Sequence, residues 1–119
     1  MIRASKDFAR LEHILDAIGK ATASVKGLTL EQFLANPDKT AAAERYVTIV
    51  GEAANMVSDE VKAKYPQVPW REASDMRNFI MHEYMKVDDA VVWAAIKNDF
   101  PELERLLKDI CASFPWPLD

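Results

Sequence analysis

Cysteine occurs once, at Cys111, and glycine three times in 119 residues. A lone thiol builds neither an intramolecular disulfide nor a thiolate zinc site, and it fits a reducing, cytoplasmic location. No stretch approaches the ~18 uninterrupted apolar residues of a membrane span. The N-terminal segment meets Lys6, Asp7, Arg10 and Glu12 before an apolar run develops, so neither a secretion signal nor a membrane contact is expected. Positive charge is not in excess either: 15 Lys+Arg against 19 Asp+Glu leave a net charge of −4. That balance argues against duplex DNA as a partner, because non-specific duplex binding needs clustered cations to replace counterions; nucleic acid enters only through a local site. Gly-rich phosphate loops, the Gly-x-Ser-x-Gly elbow and the His-Glu-x-x-His zinc pattern are all missing. No metal or other cofactor is expected. What remains is a chain that is 50% apolar and 29% charged, long enough to bury roughly two-thirds of its unfolded surface in one core. A single domain over residues 1–119 is expected.

The apolar residues repeat at helical spacing. Phe8, Leu11, Ile14, Leu15, Ile18 and Val25 predict a first helix from a cap at Ser5 to a stop at Gly27. Thr29 and Gln32 form a capping-box pattern over a short helix, closed by Asn36-Pro37. Asp38 is the expected cap of a long helix to about Val57, with Tyr46, Ile49, Val50, Ala53 and Val57 on one stripe. Ser58 begins a brief helical turn, and the prolines of residues 65–70 predict extended chain, with Trp70 plugging the bundle. A helix from Arg71 or Ser74 to about His82 follows. Asp88 or Asp89 caps the next, and Asp99 with Pro101 opens another carrying Leu103, Leu106, Leu107 and Ile110. A Pro- and Trp-containing tail begins at about residue 113. No alternating strand pattern is present. The expected architecture is all-α, an up-and-down bundle of four or five helices.

The chemistry concentrates in Met76-Arg77-Asn78-Phe79-Ile80-Met81-His82-Glu83-Tyr84. On an α-helical wheel Met76, Phe79, Ile80 and Glu83 share one arc, while Arg77, Asn78, Met81 and His82 fall within about 140° on the other. A guanidinium, an amide and an imidazole on one face suit phosphate chemistry: arginine offers a planar fork to phosphate oxygens, and histidine moves a proton near neutral pH. From spacing alone, an ordinary solvated helix face is the simpler reading. Elsewhere, Glu12, His13 and Asp16 lack metal-ligand spacing, and His13 reads as a surface residue. Cys111 reads as a packed thiol, and Trp70, Trp93 and Trp116 as core or lid. Lys62, Lys64, Arg71 and Lys86 are interspersed with acids and read as solvated surface.

The order Arg77-Asn78, then His82-x-Tyr84, resembles the Arg-x4-His-x-Tyr motif of the HEPN superfamily. The runs 50–54 (Val-Gly-Glu-Ala-Ala) and Pro66-x-x-Pro69-Trp70, with Val87-Asp88 and Val92-Trp93, are similar in order and spacing to its HepT-like branch. The resemblance extends over roughly residues 5–110. It implies a HEPN-like bundle that forms a homodimer, pairs the two motif helices and makes one metal-independent ribonuclease site acting on RNA. It further implies a toxin of a type VII-like toxin–antitoxin pair, neutralised when a minimal nucleotidyltransferase antitoxin transfers AMP to the motif tyrosine. Carried onto this chain, Arg77 and His82 are catalytic, Asn78 is the supporting polar residue, and Tyr84 is the AMP acceptor. An alternative from a different class is a non-catalytic helical subunit of a nucleotidyltransferase that uses the Arg77-to-Tyr84 face only for contact.

Two acidic residues keep two readings each. Many relatives carry a small residue between the motif histidine and tyrosine; Glu83 here either orients His82 or repels RNA phosphate. Glu52 is either buried beside Arg77, holding its guanidinium, or an exposed helix charge. The motif helix is expected to end at His82 to Tyr84, with Tyr84 at the mouth of the dimer cleft.

Overall fold

In the computed structural model, which describes residues 2–79 and 88–113, the chain is an all-α bundle with no strand among the described residues. Helix α1 (Ile2–Val25) packs along α3 (Pro37–Met56), and short α2 (Leu30–Leu34) joins them. Next come α4 (Asp59–Lys64) and α5 (Trp70–Asp75), the latter running directly into a 3-10 turn at Met76–Phe79. Helix α6 (Asp89–Ala94), a π turn at Ala95–Asp99 and α7 (Phe100–Ser113) complete the order. Leu11, Ile14 and Ile18 of α1, Val47 and Val50 of α3, and Phe100, Leu107 and Ile110 of α7 lie in one core and are almost wholly buried. None of the described helices is long and apolar enough to cross a membrane.

Local rules account for most boundaries. Gly27 takes φ +80 just past α1, the left-handed conformation that ends helices and favours glycine. Thr29 and Gln32 make the expected reciprocal capping box. Ser58 caps α4 and Asp88 caps α6, each accepting a backbone N–H from the first turn.

Several expectations are corrected. Helix α1 begins at Ile2, so Ser5 lies inside its first turns rather than at its cap. The α3 cap is Asn36, whose Oδ1 accepts from Lys39 N–H at 3.1 Å, and not Asp38. The reason is Pro37 at the first helical position: the residue before a proline is kept out of helical conformation, so the boundary falls there. Residues 65–70 fold into a turn instead of extended chain. The Tyr65 carbonyl accepts from Val68 N–H at 3.2 Å and from the Trp70 indole at 2.9 Å, which seats Trp70 as the first residue of α5. Pro101 opens no separate helix, because α6 continues through the π turn into α7. Pro101 has no N–H for the Lys97 carbonyl; the wider turn carries the helix on, with Phe100 N–H reaching back to Ala95 O. The expected motif-helix end at His82 to Tyr84 and the tail beyond residue 113 lie outside the described residues.

Two carboxylates tie short elements to the long ones. Asp7 of α1, almost fully buried, accepts from Ser58 N–H at 2.9 Å and from Ser58 Oγ–H at 2.7 Å, and Ser58 Oγ accepts in turn from Val61 N–H. Charge-assisted bonds of this kind offset the cost of burying a carboxylate. At the other side Glu44 of α3 meets Asp89 at the start of α6. Burial, and then the hydrogen bond and charge of Asp89, push the Glu44 carboxyl up to about 7. The folded state therefore holds this proton more tightly than the unfolded chain, and the stability it contributes is lost as pH rises from 4.5 through about 7. The melting temperature should fall between about pH 5 and about pH 8, and Glu44→Gln should flatten that fall. An equal slope in both proteins would show that the pair does not share a proton.

Gly51 determines how closely α3 approaches the chain after α5. A Cβ at position 51 would lie 2.9 Å from both Cα and Cβ of Arg77, and nearer still to the Arg77 backbone nitrogen. The obstructing atoms are backbone and the Cβ bonded directly to it, so side-chain rotation cannot move them aside. Gly51→Ala should destabilise the protein by about 1–3 kcal/mol in a urea titration, as overpacking does. A neutral result would show that the two backbones have room between them.

Candidate active site

Arg77 stands where the chain after α5 lies against Gly51 of α3. Met76, immediately before it, is 4% exposed and anchors the 3-10 turn in the core. Arg77 is half-buried and Asn78 exposed, so the turn separates these three residues as the wheel predicts. The geometry is not the wheel's, however, because a 3-10 turn advances about 120° per residue. Phe79 ends the turn, and the tight approach to Gly51 holds the Arg77 backbone at its middle. Arg77 and Asn78 are therefore brought together beside α3. His82, Glu83 and Tyr84 lie outside the described residues.

Two clefts meet at Arg77. One, of about 500 Å³, runs between α1 and α3 and is lined by Arg10, His13, Arg45, Glu52 and Arg77 over an apolar strip containing Ile49 and Met56. The second, of about 320 Å³, lies toward α4 and α5, where Arg71, Lys62 and Asp75 surround it. Arg77 and Asn55 line both clefts. Glu52 proves to be exposed, the second of its two expected readings, but it shares the first cleft with Arg77. Lys62 also donates to the Asn55 carbonyl at 3.3 Å. A third cleft, of about 470 Å³ between α5 and the α6–α7 run, is acidic, with Glu72, Asp75, Asp99 and Glu102 on its walls. The chain is acidic in sum, yet Arg10, Arg45, Arg71 and Arg77 line the clefts on one side of α5, whereas Glu72, Asp99 and Glu102 line the cleft on the other, with Asp75 bordering both.

Such an arrangement suits an anionic ligand. Guanidinium groups present fixed forks to phosphate oxygens, and the half-buried setting of Arg77 weakens solvent screening. The thiol offers no rival chemistry. Cys111 is half-buried, and burial, with the charge of Glu12, pushes it above the ordinary thiol range, which disfavours the nucleophilic thiolate. Arg10, His13 and Arg45 are lining residues that sequence reasoning did not assign to the site. Their signal was partial. Arg10 and His13 are three apart on α1, and Arg45, Ile49, Glu52 and Met56 form one stripe of α3. Nothing local says that those two stripes adjoin.

Comparison with known proteins converges on one family. The family profile described as Ribonuclease HepT-like matches residues 14–110, well over half of the chain. "Putative RNase TTE0752" of Caldanaerobacter subterraneus subsp. tengcongensis is 38% identical over 100 residues, covering 84% of this chain and 89% of its own. "Probable ribonuclease HepT" of Thermococcus cleftensis is 35% identical over 104 residues, covering 87% and 93%. "Putative RNase MJ1216" of Methanocaldococcus jannaschii is 31% identical over 106 residues, covering 86% and 88%. No solved structure matches the chain. On the extent of these matches and the helical fold that carries them, the chain belongs to the ribonuclease HepT-like family.

Proposed function

We propose that the protein is a metal-independent endoribonuclease in which Arg77 and His82 carry the chemistry and Asn78 supports them. The observation that carries this reading is the setting of Arg77: an arginine whose backbone lies against Gly51 and which lines two cationic clefts, in a chain whose relatives bear ribonuclease names. RNA contains its own nucleophile. A base removes the 2′-hydroxyl proton, the oxygen attacks the adjacent phosphorus, and an acid protonates the departing 5′ oxygen. The products are a 2′,3′-cyclic phosphate and a 5′-hydroxyl. In a homodimer that joins two copies of the motif, one His82 serves as base and its counterpart as acid, while the paired Arg77 side chains neutralise the phosphorane oxygens.

Within this reading the protein is the toxin of a pair whose antitoxin, a minimal nucleotidyltransferase, transfers AMP to Tyr84. The added phosphate and adenine would exclude RNA by charge and bulk. Glu83 sets the level of activity, since a carboxylate beside His82 either orients the imidazole or repels the substrate.

Arg77→Ala and His82→Ala should each reduce RNA cleavage by about a hundredfold or more, with helicity retained. Cleavage should persist in EDTA and should spare an all-deoxy substrate. Wild-type rates in either variant, measured in a nuclease-free preparation, would remove these residues from the site. The non-catalytic alternative is favoured instead if the chain expressed alone accumulates harmlessly without loss of RNA.

Modification has its own readout. Co-expression with the partner nucleotidyltransferase should yield protein carrying AMP on Tyr84 by peptide mass spectrometry. AMP mapped to another residue, or none in an inhibited complex, would refute that half of the proposal.

A further inference from the structure

The α1–α3 cleft carries more cationic charge than the proposed cleavage chemistry uses. Arg10 and Arg45 reach it from different helices, and with Arg77 they set three guanidiniums against the one carboxylate of Glu52. Three cations elsewhere are matched on their own helices: Lys20 with Asp16, Arg105 with Glu102 and Asp109, and Lys108 with Glu104. Arg10, Arg45 and Arg77 enter no such pair among the described residues. Three like charges converging without partners repel one another, and an anion in the cleft relieves that repulsion. The cleft, at about 500 Å³, is of a size to take a nucleotide. Its apolar strip includes Met56, 57% exposed, a flexible and polarizable surface against which a base can lie.

We infer that this cleft is a phosphate subsite for single-stranded RNA, in which Arg10 and Arg45 hold a backbone phosphate next to the one that Arg77 engages. The inference rests on the ribonuclease reading for its substrate and extends it to residues outside the motif. Continuity supports a strand over a compact anion. The cleft joins the second cationic cleft through Arg77 and Asn55, so one strand passes Arg45 and Arg10, crosses Arg77 and leaves beside Arg71. A single strand fits because it bends into a groove and exposes its bases for contact, whereas the acidic cleft across α5 would repel the second strand of a duplex laid over the bundle.

The test uses the full-length protein and a short single-stranded RNA. In otherwise wild-type protein, Arg10→Ala with Arg45→Ala should raise KM about tenfold or more and leave kcat within about twofold, because the pair binds a phosphate that does not react. In a His82→Ala background, the same double substitution should weaken RNA binding by fluorescence anisotropy. It should also reduce the slope of log Kd against log salt by about 0.7, the loss of one phosphate contact. Arg45 is exposed, so Arg45→Glu alone gives the same direction of change if the double variant fails to fold.

Unchanged KM and an unchanged salt slope, with wild-type cleavage intact, would overturn the subsite and leave the ribonuclease reading standing. RNA binding that depends on Arg10 and Arg45 in a wild-type protein that does not cut would sustain the subsite and remove the nuclease. Absence of both binding and cleavage would overturn both. ATP binding as tightly as the RNA would make the cleft a mononucleotide pocket and overturn the proposal. A change of mass in sedimentation with RNA affinity unaltered would do the same, by assigning the cleft to a second copy of the chain.

Discussion

Backbone lies on backbone where Gly51 of α3 meets Arg77, and the position of the site depends on that contact. A side chain at position 51 would have to occupy the space of the Arg77 main chain, so α3 and the turn after α5 would separate. The approach brings Arg77 to the junction of two clefts, one reaching to α1 and the other to α4 and α5. Met76 completes the arrangement from the core side, since its burial sets the rotation of the 3-10 turn and leaves Arg77 and Asn78 facing away. A small residue on one helix thus aims a charged residue on another segment.

The polar ties work on the same frame. Asp7 holds the cap of α4 through Ser58, and Glu44 meets Asp89 at the start of α6. Both ties attach short elements that flank the Arg77 segment in sequence. Helices of six residues, such as α4 and α6, are too short to be stable alone, so their places depend on such anchors and on Val61 and Val92, which each buries in the core. The two ties respond differently to conditions. The Asp7 carboxylate is satisfied by neutral donors, whereas the Glu44–Asp89 contact brings two acids together and weakens when both are ionised.

Charge distribution matters more here than net charge. A chain with four more acidic than basic side chains is a poor candidate for binding a polyanion by composition. Folding alters the local balance: α5 separates a cationic side, with Arg10, Arg45, Arg71 and Arg77, from an acidic cleft with Glu72, Asp99 and Glu102. Surface potential near a cleft is governed by the charges within about a Debye length, not by the total. The two faces can therefore treat an anion in opposite ways.

Much of the fold was legible because its causes lie within a few residues of one another. The capping box of Thr29 and Gln32, the stop at Gly27, the caps at Ser58 and Asp88 and the apolar stripes of α1, α3 and α7 all follow from local spacing. Prolines were harder to place. Pro37 moved a cap by two residues to Asn36, and Pro101 was absorbed by a π turn that only the continuing packing of α6 and α7 makes worthwhile. By itself the sequence determined an all-α chain, its main helices and the motif that singles out Arg77. Only the tertiary structure decided that Gly51 admits the Arg77 backbone and that the Arg10 and Arg45 stripes meet beside it. Periodicity assigns each residue to a face of its own helix, but which faces adjoin is settled by the simultaneous packing of residues far apart in the chain.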